Sequence, residues 1–150
     1  KKIFGFAAKG LKTKKNLSPY GKEAFTYNRS AAHNAYGLQL DGVNPEKQAA
    51  VWDFERSPLF SDAERAALVY ARGAGQSPSG VTDADFVRLK EHFDDRQILE
   101  IAGVIGLFGF LNRWNASLAV PLEDAPLTHA QTALAGTGWQ PGVHGPGVAE

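Results

Sequence analysis

Asp94-Asp-Arg-Gln-Ile-Leu-Glu-Ile-Ala-Gly-Val-Ile-Gly-Leu-Phe-Gly-Phe-Leu-Asn-Arg-Trp-Asn-Ala-Ser117 is the stretch on which the fold turns. Ile98, Ile101, Ile105 and Phe108 recur with the 3.6-residue period of an α-helix, predicting one long helix from about Arg96 to Ser117. Its middle is apolar all round, the pattern of a buried central helix. The uncharged run from Ile101 to Leu111 is well short of the ~20 apolar residues that a membrane span needs. Gly103, Gly106 and Gly109 recur every three residues. No strand precedes them, so they are not a dinucleotide-binding loop. They predict close packing of another helix along a glycine face.

Working outward, Thr82-Asp-Ala-Asp85 and Ser61-Asp-Ala-Glu64 read as capping boxes, in which each end of the motif satisfies one orphan amide of the other. The first opens a helix with Phe86, Leu89 and Phe93 on one face. The second opens a helix whose apolar positions Ala66, Leu68, Val69 and Ala71 run toward a stop at Gly73. Asn44-Pro45-Glu46 predicts a further start, before Lys47 to Phe54, and Ser18-Pro19 another. No run alternates like a strand. The class is all-α. Gly136 to Val148 holds five Gly and two Pro in thirteen residues, which predicts an extended or mobile tail with Trp139 as its anchor. The expected organisation is a lysine-rich segment over 1–22, a helical domain over 23–135 and a Gly/Pro-rich tail over 136–150.

Sixteen basic and sixteen acidic side chains cancel over 150 residues, which argues against a nucleic-acid partner. Seven lysines and no acid lie in residues 1–22, and these read as a solvated arm beside an acidic body. No signal-peptide pattern is visible, so no membrane association and a cytoplasmic setting are expected. Gly75-Gln-Ser77-Pro-Ser79 lacks the last Gly of a nucleophile elbow and reads as a loop. Glu91, His92, Asp94 and Asp95 match no common ligand spacing, so no metal and no cofactor are expected. There is no Cys and no Met. Average usage would give about three Met in this length.

His33 stands in Tyr27-Asn-Arg-Ser30-Ala-Ala-His33-Asn-Ala, with Gly42-Val43-Asn44-Pro45 closing the segment. By itself it reads as a hydrogen-bonded structural histidine. The following blocks change that weight: Ala50-Val-Trp-Asp-Phe-Glu-Arg-Ser-Pro-Leu-Phe-Ser-Asp-Ala-Glu-Arg-Ala-Ala-Leu-Val-Tyr-Ala71, Val81-Thr-Asp-Ala-Asp-Phe86, Phe93-Asp-Asp-Arg-Gln-Ile-Leu-Glu-Ile101 and Gly106-Leu-Phe-Gly-Phe-Leu-Asn-Arg-Trp-Asn115. Together, over residues 27–123, they resemble the carboxymuconolactone decarboxylase family on its alkylhydroperoxidase D-like branch. The resemblance implies an all-helical bundle that assembles as a dimer, trimer or hexamer, with the active-site region near subunit contacts.

It also implies thiol chemistry. Active members carry a Cys-x-x-Cys pair just before a histidine, and one thiolate attacks the peroxide while the other resolves the sulfenic acid. His33 matches the family histidine, with the role of moving the proton. Counting back places the pair at Tyr27 and Ser30 in one register, or at Thr26 and Arg29 in the other. Neither register holds a thiol. Glu23 is the candidate for the family's coupled glutamate, although it precedes His33 by only ten residues and leaves the helix about two turns short. Two readings stay open here: true loss of the pair with part of its helix, or a chain lacking residues around 23–33. The joint absence of Met and Cys tilts toward the second. On the residues present, the resemblance implies hydroperoxide-reducing ancestry with a thiol electron donor as partner, and no thiol-peroxidase turnover from this chain. The alternatives are the family's thiol-free decarboxylase or lactone chemistry, and a catalytically silent oligomeric binding protein. Arg113 is a candidate for holding a substrate carboxylate, with an ion pair to Asp53 or Glu55 as its structural alternative.

Overall fold

A computed structural model of the chain describes residues 28–146. Among these residues there is no strand. The helices are α1 (Asn28–Leu40), α2 (Pro45–Ala49), α3 (Asp62–Ala74), α4 (Asp83–Lys90), α5 (Asp95–Ser117) and α6 (Asp124–Ala133), with 3-10 turns at Ala50–Asp53 and Gly142–His144. The all-α expectation is borne out. The helix start expected at Ser18-Pro19 lies outside the described residues. Two compact units emerge, residues 50–109 and residues 28–49 with 110–146.

In the unit formed by residues 50–109, both expected capping boxes are present. Ser61 Oγ accepts from the Glu64 amide at 3.3 Å, and Glu64 Oε2 accepts from the Ser61 amide at 2.9 Å. Thr82 and Asp85 repeat the exchange at 3.3 and 2.9 Å. Asp94 and Gln97 make a third reciprocal pair, at 2.8 and 2.9 Å, and α5 therefore starts one residue before Arg96. Ala66, Ala67, Tyr70, Leu89, Ile98 and Ile101 form the core, with Phe93 and Ile105 packed on it. Helix α3 runs past Gly73 to Ala74. Gly73 serves a different purpose from a stop: a Cβ there would lie 3.2 Å from the Val81 amide and 3.3 Å from the Gly80 carbonyl. Any side chain there would require this loop backbone to give by a few tenths of an ångström.

The other unit brings α1 onto α6 through Ala32, Ala35 and Ala130, with Leu122 and Leu134 completing the core. Small side chains on both helices allow the close approach. Gly42 ends the turn after α1 at φ 66°, while the Val43 amide reaches the Leu38 carbonyl at 2.9 Å. This left-handed residue after a helix is where a Cβ is penalised. Asn44 Oδ1 accepts from the Glu46 amide at 2.7 Å and starts α2, which tightens into a 3-10 turn at Ala50 and does not continue as α-helix to Phe54. Within the Gly/Pro-rich end, residues 136–146 take turns and one 3-10 turn, with no α-helix or strand among them. Trp139 packs on the core, and His144 is buried within a 3-10 turn, its Nδ1 donating to the Val120 carbonyl at 2.7 Å. The Leu122 amide in turn donates to the His144 carbonyl at 2.9 Å. These bonds, made to the backbone 22–24 positions earlier, replace the regular ladder that glycine and proline disfavour.

The expectation for α5 needs correction. Ile98 and Ile101 are buried, but Leu99 is 72% exposed and Leu107, Phe110 and Trp114 are each at least 55% exposed. A Cβ on Gly103 or Gly106 would meet nothing within 4 Å, so no described residue packs on α5 at these two positions. The physical reason is geometrical: a helix apolar all round has two faces to bury, and the core of residues 50–109 covers the one that carries Ile98 and Ile101.

Candidate functional site

Arg29 and His33 lie four apart on α1, hence on one face. That face meets the first residues of α6. His33 Nε2 stands 2.8 Å from Glu123 Oε2, and Arg29 Nη2 donates to Glu123 Oε1 at 2.7 Å. Arg29 Nε also donates to the Pro121 carbonyl at 3.3 Å. His33 Nδ1 lies 3.0 Å from the Arg29 carbonyl. Both ring nitrogens therefore face acceptors, and both contacts are hydrogen bonds only in the doubly protonated ring. The carboxylate shares two partners of different kinds, a guanidinium and an imidazole ring.

Glu123 occupies the N-cap position of α6 with extended backbone, φ −70° and ψ 152°, yet its side chain makes no capping bond. Its oxygens turn to Arg29 and His33 instead. Its carboxyl sits below the ordinary 4.5, first through a hydrogen bond from its own backbone amide and then through the charges of His33 and Arg29. With its side chain 60% exposed, this carboxylate is open to solvent and to small molecules.

Ser30 points elsewhere on α1. Its hydroxyl donates to Asn112 Oδ1 in a buried hydrogen bond. Asn112 Nδ2 is buried as well and has no partner among the described residues. Ser30 thus reaches Asn112, while His33 reaches Glu123, so the hydroxyl and the imidazole do not form a nucleophile–base couple. Arg113 is an exposed side chain near the C-terminal end of α5. Glu55, expected as one of its structural partners, is chelated by Arg72 at 2.9 and 3.1 Å, and Asp53 pairs with Arg56 at 2.8 Å. Tyr27 and Glu23 lie outside the described residues, as does Thr26. The structure thus brings together His33 and Arg29 and adds Glu123, which the sequence reading missed. One signal was available: Glu is a poor N-cap where Ser, Thr, Asp or Asn is usual, so Glu123 before Asp124-Ala-Pro126 invited another role.

Helix α6 also carries an open groove of about 620 Å³ lined by Asp124, Ala125, Thr128, His129 and Thr132. The Tyr36 ring lies 5.9 Å from the His129 ring, and His129 Nε2 is buried without a partner among the described residues. The described residues contain no group of three or more His, Cys, Asp or Glu placed to hold a metal ion. None of their helices is long and apolar enough to cross a membrane.

This helical arrangement aligns with the crystal structure of the debrominase Bmp8, at a TM-score of 0.67 and 27% identity over 87% of this chain and 66% of that one. A cysteine-to-alanine variant of the same debrominase, in complex with 2,3,4-tribromopyrrole, aligns at a TM-score of 0.71 and 26% identity, again over 87% of this chain and over 65% of its own. The fold is alkylhydroperoxidase D-like. In sequence, the chain is 42% identical over 78 residues to YnjA, an uncharacterized protein of Escherichia coli (strain K12), which covers 52% of this chain and 43% of YnjA. The chain therefore spans less than half the length of that relative and just under two thirds of the debrominase. No family model matches it.

Proposed function

We propose that Arg29, His33 and Glu123 are the proton-transfer part of an alkylhydroperoxidase D-like oxidoreductase site, with the thiol reductant supplied from outside these 150 residues. The observation that carries the reading is the 2.8 Å contact between His33 Nε2 and an exposed carboxylate, with Nδ1 held by a backbone carbonyl. This fixes the ring and leaves one movable proton at the surface. Reduction of a weak polar bond needs such a proton. Two thiols and a hydroperoxide give an alcohol, water and a disulfide, and the leaving alkoxide takes its proton from His33. Two thiols and a bromoarene give the arene, hydrogen bromide and a disulfide, with the proton going to carbon. The debrominase complex supports the second substrate class, and the resemblance of the Ala50–Asn115 blocks supports the first. A cytoplasmic setting would supply the thiol.

Zero cysteine favours a second reading, thiol-free proton transfer of the decarboxylase or lactone type. One assay separates them. The purified protein is given cumene hydroperoxide or 2,3,4-tribromopyrrole, with and without dithiothreitol. The cysteine-free chain alone should give no turnover; with dithiothreitol standing in for the absent thiol pair, the first reading expects turnover that falls at least tenfold in His33→Ala and in Glu123→Gln. Turnover absent with dithiothreitol, or unchanged in both variants, overturns it.

A further inference from the structure

We propose that Ser30, Asn34 and Asn112 form a binding site for a monatomic halide ion. Ser30 and Asn34 lie four apart on α1, so their side chains share one face. Asn112, from the part of α5 that belongs to the same compact unit, meets that face: its Oδ1 accepts from the Ser30 hydroxyl. Ser30 is 9% exposed and Asn112 3%. Beside this bond stand two orphans. Asn34 Nδ2 and Asn112 Nδ2 are both buried, and neither has a partner among the described residues. Each is an NH2 group with two hydrogens to donate. Buried polar groups are nearly always paired, so two unpaired amides grouped around one hydroxyl mark a place where an acceptor belongs.

The chemistry of the donors selects the occupant. A water molecule brings two hydrogens of its own and needs acceptors for them. Both orphaned atoms here are donors, and the Asn112 carbonyl oxygen is already taken by Ser30. A halide only accepts, and it takes N–H groups from any direction. A phosphate or carboxylate also accepts, but it spreads its charge over several oxygens, more than two amides satisfy. A buried anion further needs surroundings that do not repel it. Arg29 and His33 directly precede Ser30 and Asn34 on α1, and the carboxylate they share is the single charge of Glu123. That trio is neutral or positive, never negative. Asn34 keeps part of its surface exposed, which gives the ion an entrance. The site stands on the amides alone and does not depend on the proton-transfer reading of His33 and Glu123.

The test uses the full chain and sodium bromide, with ionic strength held constant by sodium gluconate. In isotope-labelled protein, the side-chain amide signals of Asn34 and Asn112 should shift together and saturate with bromide. The Gln48 amide, which already donates to the Val43 carbonyl, should not follow them. The thermal midpoint should rise with bromide, as it does for any ligand that binds only the folded chain. Asn34→Leu removes one donor at a partly exposed position, and Asn112→Asp replaces the other with an acceptor of nearly the same size. Each should weaken bromide binding at least tenfold, read at the amide that remains, with helical circular dichroism unchanged. A crystal soaked in bromide should show the anomalous signal of bromine between the two Nδ2 atoms. Wild-type amides that ignore bromide or drift without saturating, a saturable shift that survives in both variants, or ordered water between the amides in place of bromine overturns the proposal.

Discussion

At the scale of single residues, Glu123 is the group on which the site depends. Its carboxylate joins Arg29 and His33, which are themselves neighbours on α1, so removing it takes a partner from both at once. Glu123→Gln is expected to lower turnover while costing stability no more than about 1 kcal/mol, the ceiling for an exposed ion pair. Thermal unfolding beside the activity assay checks both halves. Ser30→Ala should behave oppositely. It strands the buried Asn112 carbonyl oxygen without a donor, so stability should fall by about 1–3 kcal/mol in a denaturant titration. Its effect on the proton-transfer step should be small, because Ser30 does not touch His33. A Ser30→Ala variant that loses turnover while keeping its midpoint would place the hydroxyl in the chemistry after all. His33 was legible in the sequence because it sits where the family resemblance expects a histidine. Glu123 was not, since 90 residues separate it from His33 and only the packing of α1 on α6 unites them.

Elements obeyed local chemistry wherever both ends of a motif were close in sequence. Ser61 with Glu64, and Thr82 with Asp85, closed as read because a capping box is decided within four residues. Ser61→Ala should cost about 1 kcal/mol, and Thr82→Ala a similar amount, each read from the shift in urea midpoint at constant slope. Leu89, fully buried where α4 meets α3 and α5, should cost about 2–5 kcal/mol as Leu89→Ala. The long apolar helix was harder to read. Periodicity found its length to within a residue, yet an apolar residue on a helix says only that it would be buried somewhere. Whether the cover comes from the same chain is a question of tertiary arrangement, and Leu99 and Phe110 show that α5 is not covered by its own described neighbours. The Gly/Pro-rich end was legible only in part. Composition excluded regular structure, but could not reveal that His144 would find a carbonyl at Val120.

For the whole molecule, pH acts on both units in the same sense. Glu55 is held below its ordinary 4.5, chiefly by its hydrogen bonds from Arg72, and Glu123 is lowered as described. A carboxyl depressed by folding contributes stability in full above its unfolded value and loses it as pH falls through the lowered folded value. Stability should therefore be flat in these two groups above about pH 5 and decline in acid below 4.5. Both side chains are more than half exposed, so salt should flatten the decline. Chemical denaturation at pH 3, 4, 5 and 7, at low and high ionic strength, would show it. A decline already present between pH 5 and 7 would have to come from other groups. The 120–123 connector is held from two directions, by Arg29 at Pro121 and Glu123 and by His144 at Val120 and Leu122. The 3-10 turn at Gly142–His144 is therefore a distant setscrew on the candidate site. In a deletion scan, clipping the chain before Trp139 should cripple turnover as surely as a change at Glu123, and a fusion partner joined tightly behind Gly145 should detune it.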